Sequence, residues 1–269
     1  MARQPHIANP NLTRPTISGR LIFHGFFLFW MIFFPSNTSY PNPSIAKQTN
    51  KALGLFDSFT PNGDIRRFAG ETLYFDLSFL WFENAATAKI SFIEENGLYF
   101  CILEAQTKGF VGWFTAYRKH VYKAYFDVID DGNRVRAYRF EWLIIAGDDV
   151  EKADHHMDYV TRKHSWVETK NGKTTQKKTD DIPEGVNYDD ILSAFFNFRN
   201  SAYGKLEKGS TYTITTIPKK GHKTISVQIK NGREKEEARI EAGRKNLTEL
   251  LMIVLIPKEI FKTKHGQLL

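Results

Sequence analysis

Cysteine is nearly absent. Cys101 is the only one in 269 residues, which excludes an intrachain disulfide. It lies in the apolar stretch Leu98-Tyr99-Phe100-Cys101-Ile102-Leu103, where a buried, inert thiol is expected. A nucleophile would need a histidine partner and an electropositive setting. Acidic residues are missing ahead of Asp57. The apolar run at residues 21–34 is too short for a bilayer-spanning helix, which takes ~20 apolar residues. Also absent are a Gly-x-Ser-x-Gly elbow, a Walker loop, a Rossmann fingerprint and a His-Glu-x-x-His pair. These gaps leave no catalytic residue to assign, and no cofactor is expected. Basic and aromatic residues do not interleave as in a nucleic-acid module, so no nucleic-acid partner is expected either.

The N-terminus reads as an address. Arg3, Arg14 and Arg20 precede the run at 21–34, which Pro35 closes. A signal-peptide core of ~7–15 apolar residues fits that length. Ser44-Ile45-Ala46 places small residues just before Lys47, so cleavage after Ala46 is expected. An uncleaved anchor is the alternative. Without a nearby cysteine, a lipid-modified N-terminus is excluded. Residues 1–46 are therefore expected to be a signal peptide, 47–69 a linker and 70–269 one β domain.

Aromatic content is high at 14%, which suits pleated surfaces. Leu73, Phe75, Leu77 and Phe79 alternate with mostly polar neighbours, the period-2 pattern of a half-buried strand. Ala86, Ala88, Ile90 and Phe92 repeat it, and Glu95-Asn96-Gly97 turns the chain into 98–107. Further strands are expected at 120–129, 135–145, 157–169, 211–217, 224–230, 236–242 and 247–256. Asp131-Gly132, Asn171-Gly172, Gly221-His222, Asn231-Gly232 and His265-Gly266 punctuate them as turns. Short local turns describe an antiparallel meander. The fold class expected is mainly β: a single curved antiparallel sheet or incomplete barrel, packed on one helix.

That helix is expected at 190–200, capped by Asp189 or Asn187. Ile191, Leu192, Phe195, Phe196 and Phe198 fall on one arc, and so does Arg199. Arg199 either snorkels to water at the helix C-terminus or meets a carboxylate, Asp76 or Glu141. Asp154-His155-His156-Met157-Asp158 with His164 is the nearest thing to a metal cluster, His156, Asp158 and His164 sharing a face by parity. A wet strand start explains these residues as well, and no metal is expected. The carboxylate pairs Asp130-Asp131, Asp148-Asp149 and Asp180-Asp181 suit turns. The net charge of +7 reads mainly as lysines on solvent-facing strands and hairpin tips, with contact to a membrane surface the sharper alternative.

Two segments, Gly70-Glu71-Thr72-Leu73-Tyr74-Phe75-Asp76 and Asp190-Ile191-Leu192-Ser193-Ala194-Phe195-Phe196-Asn197-Phe198-Arg199, together resemble a family of bacterial exported proteins catalogued as domain of unknown function 3108. The second is similar to that family's Asp-(apolar)-(apolar)-Ser-Ala-(aromatic)-(aromatic)-x-(apolar)-Arg helix. The resemblance runs from about Gly70 to the C-terminus. It implies a periplasmic, cell-envelope location and a mostly antiparallel sheet curled around a helix. It carries over no activity and no catalytic residue. Such proteins continue past the equivalent of Lys264-His265-Gly266, whereas this sequence stops at Gln267-Leu268-Leu269, so a sheet that is truncated, or a divergent short version without barrel closure, is expected.

The functional expectation is a non-catalytic envelope protein holding a lipid or other amphiphile. The pocket would be lined by Leu73, Phe75, Leu77, Phe79, Phe195 and Arg199. The rival is a periplasmic scaffold with a filled core, binding another envelope protein. An envelope hydrolase is the remaining alternative.

Overall fold

The computed structural model describes residues 58–59, 63–79, 82–219, 222–241, 252–255 and 267–268. The segment expected to be a signal peptide, most of the linker, and the turns at 221–222 and 265–266 lie wholly or partly outside the described residues.

Eight strands form one antiparallel sheet in strict chain order. They are β2 (Thr72–Phe79), β3 (Phe82–Glu95), β4 (Leu98–Thr107), β5 (Lys119–Ile129), β6 (Arg134–Ala146), β7 (Asp149–Asp158), β8 (Lys163–Lys170) and β9 (Lys173–Asp181). β1 (Ser58–Phe59) pairs with β10 (Leu206–Glu207). The meander is thus observed, and it stays open: β2 and β9 are the edges of the sheet, and no barrel closes. At Asn96-Gly97 and Asn171-Gly172 both turn residues have positive φ, as a two-residue hairpin requires.

Four expectations are corrected. Residues 157–169 are not one strand. Asp158 accepts hydrogen bonds from the Val160 and Thr161 amides, and Arg162 turns left-handed (φ 55°), which separates β7 from β8. β9 was not foreseen, because eight of its nine residues are exposed and carry no apolar alternation. The expected strand at 236–242 is a helix, α3 (Gly232–Glu241). Asn231 accepts from the Arg233 and Glu234 amides as its cap, and Arg233–Glu237 closes an i,i+4 pair. Finally, β11 (Thr211–Lys219) and β12 (His222–Ile229) do not extend the large sheet. With β13 (Met252–Leu255) and β14 (Gln267–Leu268) they build a second, four-stranded one.

The second sheet follows from the helix. α2 (Ile191–Arg199) is apolar around most of its circumference, and all nine of its residues are buried. Ile191, Leu192, Phe195 and Phe196 pack on the large sheet. Ala194 and Phe198 face Tyr212, Ile214, Ile225 and Val227 of the small one. One sheet alone could not cover both sides. A short helix, α1 (Gly109–Phe114), bridges β4 and β5 and packs against β3 and β4.

Candidate functional site: the helix-side face of the large sheet

The expected pocket residues Leu73, Phe75 and Leu77 do share one face, through the parity of β2, and they meet Phe195 of α2 in one core. All four are at most 3% exposed. Phe92 from β3 and Phe196 from α2 meet edge to face, with centroids 4.8 Å apart. Phe79 stands opposite Phe82 at the end of β2, and its side chain lies outside the described residues.

Arg199 finds a carboxylate, but neither of those expected. Its Nη1 and Nη2 donate to Glu71 Oε2 and Oε1 at 2.5 and 3.0 Å, and its guanidinium lies 4.4 Å from the Phe68 ring centroid. Asp76 pairs in register with Thr87, one position out of phase with the core residues of β2, and Glu141 is held by Arg139. Parity gives the reason. Glu71 is in phase with Leu73 and Phe75, so the alternation already pointed to it.

Three more side chains pin α2. Asp190, and neither of the expected Asp189 and Asn187, caps it, Oδ1 accepting from the Leu192 amide at 2.7 Å and Oδ2 from the Ser193 hydroxyl at 2.8 Å. Burial pushes the Asp190 carboxyl up to about 6. Asp189 accepts from Arg134, Tyr203 and Asn197, and burial raises its carboxyl as well. Asn197 accepts from the Val135 amide and donates to the Val135 carbonyl, both at 2.8 Å. The register of β6 with β7 ends at Arg139 and His156. Beyond it the Asn197 amide takes the place of a neighbouring strand.

Away from α2 the same face carries a row of rings. Tyr122 of β5 meets Phe140 of β6 (6.0 Å), Phe140 meets His155 of β7 (6.1 Å), and His155 meets Trp166 of β8 (6.1 Å). His164 stacks on both His155 and Trp166. Trp142 and Ile144 follow Phe140 along β6, opposite Tyr122 and His120. Phe140, Trp142, Ile144 and Trp166 are only partly buried. Lys178, in register with Trp166, ends the row on the edge strand. His120 and His164 are buried, and burial pulls both imidazoles down to about 4. Of these row residues only His155 and His164 stood out in the sequence, and then as metal-ligand candidates. Their spacing was legible in β6, but the pairing across β5–β8 was not.

The face expected to carry His156, Asp158 and His164 together is corrected. Across the hairpin His164 pairs with Met157, which puts it with His155 and not with His156. His155 Nδ1 and His164 Nε2 share a 3.0 Å hydrogen bond, while the exposed His156 contacts Asp154. Among the described residues no three ligating side chains converge. Burial keeps the Cys101 thiol well above its ordinary range, hence protonated.

Residues 73–265 match the family described as protein of unknown function, DUF3108. No curated protein and no solved structure matches the chain.

Proposed function

The chain belongs to the DUF3108 family, proteins of unknown function, and on that footing we propose that it is an exported periplasmic protein that binds a lipid or other amphiphile without transforming it. The observation carrying this reading is the half-buried row Phe140, Trp142, Ile144 and Trp166, on a face that elsewhere is closed by α2. Partly exposed rings in a line suit an alkyl chain, and Lys178 at the end of the row suits an anionic head. Asp189 and Asp190 are taken up by the hydrogen bonds that pin α2, and burial holds the Cys101 thiol protonated. Export is supported by Arg3, Arg14 and Arg20 ahead of the apolar run at 21–34.

Native mass spectrometry of the protein taken from its own envelope tests the binding. A retained amphiphile, lost in Trp142→Asp and Trp166→Asp variants that still fold, is the expected result. A protein that emerges empty, or one whose ligand is indifferent to both changes, refutes it. N-terminal sequencing is expected to begin at Lys47, and a full-length cytosolic product would remove the address. One observation favours a second reading, a scaffold for another envelope protein. Leu73, Phe75, Leu77 and Phe195 are buried together in one core, as a filled interior would have them.

A further inference from the structure

We propose that α1 is a docking knuckle that seats the protein on an anionic bilayer surface. Among the described residues eight large hydrophobic side chains are exposed, and four of them fall within eight positions of chain: Phe110 (61%), Trp113 (67%), Phe114 (65%) and Tyr117 (54%). Their exposure is built, not slack. Val111 and Gly112 turn inward, and Gly112 lies so close to the body that a Cβ there would sit 2.9 Å from the Tyr117 ring and 3.1 Å from the Thr107 carbonyl. Thr115 donates to the Val111 carbonyl and shares a hydrogen bond with the Thr107 hydroxyl. Ala116 and Tyr117 are both left-handed (φ 55° and 48°), which brings the Tyr117 amide back to the Gly112 carbonyl. The scaffold thus holds its aromatic residues outward.

The occupant follows from charge and composition. Residues 108–119 contain Lys108, Arg118 and Lys119 and no acid. The adjoining turn, tied on by the Gly147 amide donating to the Ala116 carbonyl, brings Asp148 and Asp149, and Asp149 is matched by Lys170 at 3.7 Å. Phe, Trp and Tyr beside Lys and Arg is the mixture that settles at headgroup depth. Four aromatic side chains exposed side by side fit a surface better than a single ligand. The exposed aromatic cluster and three cations at one end of the sheet supply the two signals that stable membrane attachment requires.

The proposal is independent of the ring row, and its test leaves that row untouched. In the full chain, Phe114→Cys is labelled with an environment-sensitive fluorophore; Cys101 is wholly buried and stays unlabelled. Val160→Cys, 93% exposed in the turn at the opposite end of the sheet, serves as the reference site. With phosphatidylglycerol vesicles the label at 114 is expected to shift to the blue and be quenched by lipid-borne nitroxides. The label at 160 should not respond, and phosphatidylcholine vesicles should have little effect. Replacing Lys108, Arg118 and Lys119 by Gln should weaken the signal at 114 on the order of 100-fold at low salt. Slowed amide hydrogen exchange across residues 109–117 of the unlabelled chain gives the same answer without any substitution. A silent label at 114 on a protein that sediments with vesicles would assign the binding elsewhere in the chain. Equal responses to both lipids would remove the electrostatic half of the proposal, and a response to protein concentration alone would make the patch a contact between copies. Each of these overturns it.

Discussion

Removing Glu71 should destabilise the protein far more than removing Arg199, although the two form one ion pair. Arg199 is 5% exposed at its side chain and Glu71 26%. The two cations Arg199 and Arg67 both lie over the Phe68 ring, at 4.4 and 4.7 Å. Glu71→Ala therefore leaves a buried guanidinium with a second cation beside it, at a cost of ~3–5 kcal/mol. Arg199→Met keeps an unbranched apolar stem among Phe68, Phe195 and Phe196 and removes a buried Nε that has no hydrogen-bond partner among the described residues. It leaves a carboxylate that can reach water, so the cost should be only ~0–2 kcal/mol. At ~2–4 °C per kcal/mol for a domain of this size, Glu71→Ala should lower the melting temperature by about 6–20 °C and Arg199→Met by about 0–8 °C. The double variant should melt near Arg199→Met, since the uncompensated charge is then gone. Thermal melts of the four proteins decide it, and an Arg199→Met protein melting below Glu71→Ala would refute the reasoning.

Stability should also depend on pH through groups of opposite sign. His120 and His164 are held neutral down to about 4, so their contribution is complete above 6.5 and is lost as pH falls through 4. Asp190, raised to about 6, contributes below 3.8 and loses that contribution as pH rises through 6. The histidines should make urea midpoints rise from pH 4 to 6.5, and Asp190 together with the likewise raised Asp189 opposes that rise. Asp190→Asn should gain on the natural protein over pH 4–7, by up to about 3 kcal/mol. Asn197→Leu strands the Val135 amide and carbonyl and should cost at least ~2 kcal/mol, read as a lower urea midpoint. Gly112→Ala should loosen α1, seen as faster hydrogen exchange at 109–117 with little change in the global melt. Cys101 should resist thiol reagents until the protein unfolds.

Alternation along β2–β6 made most of the large sheet legible, because each strand has one apolar face and short turns join neighbours. The helix at 191–199 was legible from its arc, although its cap is Asp190 and neither Asp189 nor Asn187. What stayed hidden has a common cause: the information lies across strands. The stacking of His155 on His164 and the Asn197 clamp on Val135 depend on register or on packing between elements distant in the chain, whereas the phase of Glu71 with β2 was there to be read. β9 escaped because an exposed edge strand with lysines needs no apolar period. α1 escaped because Gly109 and Gly112 in six residues argue against a helix. Its three cations and four aromatics without an acid were nonetheless plain in residues 108–119. α3 was mistaken because Asn-Gly reads equally as a hairpin turn and as a helix cap.

The order of the chain sets the order in which the core can close. Every ladder of β2–β9 joins consecutive strands, so each forms from local hairpins as soon as its second strand has been synthesised. α2 comes after all of them, and the strands that cover its far side come later still. From the emergence of Phe75 and Phe92 until Arg199 has appeared, the apolar face of the large sheet has no lid. Such a nascent sheet is exposed to aggregation and to helper proteins that shield apolar surface. The late closing contact between Arg199 and Glu71 joins the last residue of the lid to a residue ahead of the first strand of the sheet, so it reports that the whole intervening chain has been made and folded.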